Sequence, residues 1–231
     1  GTINGSLTVL NGAAVSDTGT FRVTGTSSFT SDATGANFTF ASADLEGAIT
    51  TNTFATSNFT LDNGTQAVIL AGGTVNGALS ITTGGGITDT GATTVTGTSA
   101  FITNVNDVDI VLDSANSLQG AITFTTQGTT ADVTLNNGST AISLATLPSN
   151  GNLSLTSSAA VAVSGGTVNG NLTVSSGDAI TQAAALTVTG TSSFTSTGTD
   201  TNITLNDTGN NFGGTVTLNT TGTTSGDVSI D

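Results

Sequence analysis

Apolar and polar residues alternate in short runs along the whole chain. Leu7-Thr8-Val9, Leu79-Ser80-Ile81, Ile122-Thr123-Phe124 and Leu172-Thr173-Val174 each set a hydroxyl between two apolar side chains. A period of two sends neighbours to opposite faces, so these runs predict β-strands with a buried side and a solvated side. No stretch carries a helical period. Between the runs, Asn4-Gly5, Asn63-Gly64, Asn76-Gly77, Asn137-Gly138 and Asn169-Gly170 supply the residues that best tolerate positive φ, which tight corners require.

The strands are organised by internal repetition. GTING at Gly1 to Gly5 returns as GTVNG at Gly73 and again at Gly166, offsets of 72 and then 93 residues. VTGTSSF at Val23, VTGTSAF at Val95 and VTGTSSF at Val188 keep the same two offsets. LEGAIT, LQGAIT and FGGTVT (from Leu45, Leu118 and Phe212), and FTLD, VTLN and VSID (ending at Asp62, Asn136 and Asp231), agree to within two residues. The chain therefore reads as three units, 1–72, 73–165 and 166–231, within one continuous body spanning 1–231. The second unit is longer by about one coil, the segment Asn150 to Gly166.

Within the units a small turn followed by an apolar residue recurs at Leu7, Phe29, Ile49, Leu79, Phe101, Ile122, Leu153, Leu172, Phe194 and Val216, mostly at intervals near 20 and twice near 30. This spacing fits one coil of three short strands and three corners. Insertion of a whole coil fits a solenoid, whereas a sandwich or barrel fixes every strand's neighbours. The expected fold is all-β: a right-handed parallel β-solenoid (β-helix) of about ten coils of roughly 20 to 30 residues, the hand following from the preference of parallel crossovers. At ~4.8 Å per coil the rod would be on the order of 50 Å long. Leu, Ile, Val and Phe are expected to stack on like residues in the core, and Phe29, Phe101 and Phe194 hold matching places once per unit.

Composition narrows the function. Charged residues are 7% of the chain, Arg22 is the single basic residue against 15 acidic ones, and the net charge is −14. Such a surface repels phosphate backbones and anionic lipid, which argues against nucleic-acid binding. The recurrent Val, Ile and Thr argue for order rather than disorder. Cys, His, Lys, Met, Trp and Tyr are missing, an alphabet suited to a long secreted polymer. The longest apolar runs, such as Ala67 to Ala71, fall far short of the ~20 residues of a membrane span.

Without His, Lys, Cys or Tyr, catalysis would have to rest on carboxylates or hydroxyls. Asp107 and Asp109, two apart in NDVDIVLD, are expected to share one strand face at about 7 Å, a spacing compatible with glycoside hydrolysis. No basic group supports them, and the expectation is no catalytic residue and no enzyme. Asp107, Asp109 and Asp113 are the candidates for calcium, the one cofactor considered, although the glycine-aspartate nonapeptide of calcium-loaded rolls is missing. Asp62, Asn63, Asn136, Asn137, Asn206 and Asp207 near corners read as side-chain braces of the backbone. Thr-Gly-Thr at Thr24, Thr96 and Thr189 suggests a hydroxyl array of the ice-binding kind, with gaps because it returns once per unit. Sequons such as Asn58 to Thr60 and Asn202 to Thr204 are numerous, as expected by chance in so Asn- and Thr-rich a chain.

The strings GTVNGNLTV, ITQAAALTVTGTSSFT and NNFGGTVTL resemble the repeats of giant bacterial surface proteins of the filamentous haemagglutinin and autotransporter adhesin type, over the whole chain. That resemblance implies export to the cell surface or beyond it, and a role in attachment, aggregation or biofilm matrix. It brings no catalytic residues. The expected function is a structural stalk or fibre segment of a secreted adhesin, with a subunit of an end-to-end filament, and then a carbohydrate-active β-helix enzyme, as alternatives. Expected partners are neighbouring copies or adjoining repeats at the solenoid ends, with surface glycans or host cells beyond them. The chain opens on a repeat marker and stops at VSID, as a fragment of a longer polypeptide would.

Overall fold

The computed structural model describes residues 1–147, 150–221 and 226–231. These hold 30 short strands and no helix. Strands pair in parallel with the turns before and after them, and the fold is a parallel β-solenoid of about 11 turns. A sheet of 13 strands runs the length of the rod. Shorter sheets of three, six, five and three strands complete the other faces.

Alternation in sequence becomes alternation in space. Ser192, Phe194 and Ser196 point inward while Ser193 and Thr195 point out, and Leu153, Leu155 and Ser157 repeat the pattern. The inward side chains form one continuous apolar column from Val23 to Leu205. Stacking each turn on the last is what buries them, since one coil alone encloses too little surface.

The units do not stack marker on marker. The strand opening each unit lies in a different sheet each time: Thr2–Ile3 in a three-stranded sheet, Gly73 to Val75 in the long sheet, and Gly166–Val168 in the other three-stranded sheet. Leu7, Phe29, Ile49, Leu153, Leu172, Phe194 and Val216 fall on the long sheet, but Leu79, Phe101 and Ile122 fall on the six-stranded one. The shift occurs at Val68–Val75. Leu70 pairs with Ile49, a bulge intervenes, and Gly73 pairs with Thr51. One strand more than a whole number of turns separates the first two units, so the second begins one face further round.

This rotation also changes which side chains meet. Phe29 lies between Val9 and Thr51, Phe101 between Ile81 and Phe124, and Phe194 between Val174 and Leu218. Like stacks on like at Phe101 on Phe124, with ring centroids 5.7 Å apart, at Phe38 on Phe59, Leu153 on Leu172, Ile180 on Ile203 and Val168 on Val188, but not at Phe29 or Phe194. Elsewhere the aromatics concentrate in the first unit, where Phe29, Phe38, Phe40 and Phe59 form one cluster with centroids 4.9 to 6.2 Å apart.

The expectation that every Asn-Gly corner uses a positive φ holds for Gly64 (58°) and Gly138 (54°) and fails for Gly5, Gly77 and Gly170. At Gly77 and Gly170 the turns approach too closely for a side chain, whereas a Cβ on Gly5 would meet no atom within 4 Å. A Cβ on Gly97 would lie 2.6 Å from the carbonyl oxygen of Gly77, and one on Gly190 the same distance from that of Gly170. Glycine is needed there for room, and elsewhere for conformation.

Candidate functional site

The polar side chains at the corners are spent mainly on holding successive turns together. Asn63 and Asn137, both fully buried, do this most completely. The Leu45 N–H donates to Asn63 Oδ1 at 2.8 Å, while Asn63 Nδ2 donates to the carbonyls of Leu45 at 3.0 Å and Ala67 at 3.1 Å. Asn137 repeats the bracket on Leu118 and Ala141. In each case one amide stands in for a missing strand, satisfying backbone groups that would otherwise be buried unpaired. The residues just before them, Asp62 and Asn136, accept the N–H groups of Gly64 and Gly138 at 3.0 Å, and Asp207 accepts that of Gly209 at 2.9 Å. The bracing role read from the sequence is thus realised at Asp62, Asn63, Asn136, Asn137 and Asp207, and not at Asn206.

A second clamp recurs once per unit and escaped the sequence reading. Asp17 accepts the N–H groups of Ala41 and Ser42 from the next turn. Asp89, 72 residues on, accepts those of Asp113 and Ser114 and is bonded at 2.6 Å to the amide of Asn116. Gln182, a further 93 residues on, exchanges two hydrogen bonds with Asn210. Two residue types, Asp and Gln, occupy this place, so only the offset marked it.

Asp107 and Asp109 do not share a strand face. They lie in the corner between Ser99–Asn106 and Ile110–Leu112, and Asp107 has φ 60°. Asp is one of the few side chains that tolerate this conformation. Its Oδ1 accepts the N–H groups of Thr129 at 2.8 Å and Thr130 at 2.9 Å. These bonds stabilise the ionised carboxylate and lower its pKa, the Thr129 N–H most.

Asp109 is the first rung of a side-chain ladder. It accepts the N–H of Asp132, Asp132 that of Asn152, Asn152 that of Asn171, and Asn171 that of Thr191. The same contact runs from Asn37 to Asn58 and from Asn58 to Ala78. Each such Asn precedes an inward apolar residue and an outward hydroxyl, which spells Asn-X-Ser/Thr. The sequons at Asn37, Asn58, Asn152 and Asn171 are therefore a by-product of corner geometry. Asp113 stands apart, its N–H held by Asp89 and its carbonyl by Asn136. Among the described residues, no three His, Cys, Asp or Glu side chains gather as metal ligands would.

The single basic side chain is Arg22, whose guanidinium donates to Glu46 and lies 3.5 Å from Asp44 on the neighbouring turn. The Glu46 hydrogen bond and charge raise the arginine pKa further. Beside it a shallow cleft of about 390 Å³ is lined by Thr20, Ser42, Asp44, Asp62 and Gln66. It marks where the first three-stranded sheet ends and the Asn63 bracket takes over. Among the described residues no helix is long and apolar enough to cross a membrane.

A continuous core built turn by turn, with corner amides bridging successive coils, defines a repeat protein of the β-solenoid class. The chain belongs to the family described as Repeats of unknown function (DUF5649), which matches residues 1–52, 56–125 and 150–219. No curated protein and no solved structure matches it. The family match supports the repeat character and makes no link to haemagglutinins or autotransporter adhesins.

Proposed function

We propose that this chain is a non-catalytic structural stalk or fibre segment of a secreted bacterial surface adhesin, acting outside the cell in attachment, aggregation or biofilm matrix. The observation that carries the reading is the use made of polar side chains. Asn63, Asn137, Asp89, Asp107 and the ladder from Asp109 to Asn171 all brace one turn against the next. Such bracing yields a stiff rod that carries a load or sets a distance. The low-charge, hydroxyl-rich composition and the resemblance of the repeats to exported adhesins supply the compartment.

A second reading is end-to-end assembly into an extracellular filament, favoured by the parallel pairing through which each turn already joins the next along the rod. Electron microscopy of the native material, with the mass of one continuous chain, separates the readings. A rod within one very long chain supports the stalk, and continuous fibres of short chains support the filament. Globular particles would overturn both.

A further inference from the structure

One carboxylate among the described residues is buried, that of Asp89, at 8% exposure. It points inward at the end of the strand Ile87–Asp89, in register with Leu70. Across the corner, Thr93 opens the next strand and also points inward; it is 3% exposed, and its hydroxyl has no hydrogen-bond partner among the described residues. One amide joins the two. Asn116, from the following turn and likewise 3% exposed, accepts the Thr93 N–H at 2.8 Å through Oδ1 and donates to Asp89 Oδ2 at 2.6 Å through Nδ2. The other carboxylate oxygen accepts the N–H groups of Asp113 and Ser114. No basic side chain pairs with this charge, because Arg22 is the only one in the chain and is held by Glu46 in the first unit.

The other units show what sets this corner apart. In the third unit Gln182, Leu186 and Asn210 hold the places of Asp89, Thr93 and Asn116. The frame is the same, since Asn210 accepts the Leu186 N–H at 2.9 Å and donates to Gln182 at 3.0 Å. It carries neither charge nor hydroxyl. In the first unit Phe21 and Ala43 hold the places of Thr93 and Asn116, beside an Asp17 that is partly exposed. The second unit thus exchanges a large apolar side chain for a smaller one bearing an oxygen, next to a buried charge. Polar atoms left unpaired at such depth are costly.

We propose that Asp89, Thr93 and Asn116 form a binding site for one small monovalent cation, sodium. The carboxylate supplies the charge that the ion balances, and Asp89 Oδ2, Thr93 Oγ1 and Asn116 Oδ1 supply the oxygens that a hard cation prefers. Each keeps a lone pair beyond its hydrogen bonds, and the Thr93 hydroxyl has both of its own. One carboxylate matches one positive charge. Calcium takes about six to eight oxygens, several of them from carboxylates, and among the described residues no three acidic side chains gather. The bound ion ties the stability of the middle turns to the salt around the rod. This holds whether or not the rod is a stalk.

The test is thermal denaturation of the full chain in sodium chloride and in choline chloride at equal ionic strength, which equalises screening. The midpoint should rise with sodium and stand about 2 to 4 °C above that in choline once sodium exceeds its Kd several-fold. Thr93→Val removes the oxygen while nearly keeping the shape, and should fold and melt alike in both salts. Asp17→Asn, at the matching carboxylate of the first unit, should keep the sodium effect. Sodium NMR gives a readout that does not depend on unfolding: the native chain should broaden the sodium line, and Thr93→Val should lose most of that broadening. Equal midpoints of the native chain in the two salts would overturn the proposal. So would a sodium effect that Thr93→Val retains, since that is a general action of the salt.

Discussion

Asn63-Gly64 and Asn169-Gly170 are the same dipeptide performing opposite tasks. At the first, the asparagine is the structural element: its side chain is fully buried and brackets Leu45, while Gly64 adopts φ 58° with only one atom, the Ala43 oxygen at 3.6 Å, near a notional Cβ. At the second, the glycine is the structural element. Asn169 is exposed, while a Cβ on Gly170 would lie 2.6 Å from Asn152 Oδ1 and 2.7 Å from the Gly151 backbone. A corner that ends a column of strands needs an amide to replace the lost pairing, and one that merely turns between stacked strands needs space. The local sequence is silent on which is which, because the difference lies in the turn above or below.

Substitutions separate the two kinds of corner. Asn137→Ala should have the largest effect, about 4 kcal/mol, because it strips partners from the buried N–H and C=O of Leu118 together. Hydrogen exchange at Leu118, with the denaturation midpoint, would check this. Retained protection there would mean that water replaces the amide. Gly97→Ala should follow at about 3 kcal/mol, at the upper end of overpacking costs, since its Cβ meets backbone at 2.6 and 2.7 Å. Gly64→Ala, strained in φ but unobstructed, should cost about 1 kcal/mol in the same measurement. Asn169→Ala should stay within about 0.5 kcal/mol of the native chain. If Asn169→Ala and Asn137→Ala proved equally costly, the distinction between the corners would collapse.

The sequence revealed most where the cause is local. The period-two runs, the parallel solenoid and the bracing role of Asn63 and Asn137 were all legible, since inward apolar residues and corner amides each leave their own spacing. What was hidden depends on how many strands fill a turn. Offsets of 72 and 93 residues suggest stacked copies, but the pairing of Leu70 with Ile49 and of Gly73 with Thr51 advances the second unit by one face. Leu79 therefore cannot sit below Leu7. Asp107 and Asp109 illustrate the same limit. Two residues apart, they read as one strand face, yet the positive φ of Asp107 turns the chain between them and sends each carboxylate to a different backbone group. The clamp shared by Asp17, Asp89 and Gln182 left no compositional trace, because either an acid or an amide can accept the bond.

Asp107 offers the mildest test of the corner argument, and a directional one. It is a third solution to turning the chain, a left-handed residue other than glycine that secures itself through its own carboxylate. Because the N–H groups of Thr129 and Thr130 favour its ionised form, its folded pKa lies below the unfolded value. Its contribution is therefore complete above the unfolded pKa, near ~4, and is lost as pH falls through the folded one. Between neutral pH and about pH 5 the native chain and Asp107→Asn should run parallel in denaturation midpoint, with the variant slightly lower. Below about pH 4 the native chain should lose stability faster until the two converge. The effect is small because the carboxylate is solvated, so local exchange of the Thr129 and Thr130 amides is the sharper measurement. Acid should open them in the native chain and leave them unchanged in Asp107→Asn. An equal acid response in both proteins would show that the corner is held by its backbone conformation alone.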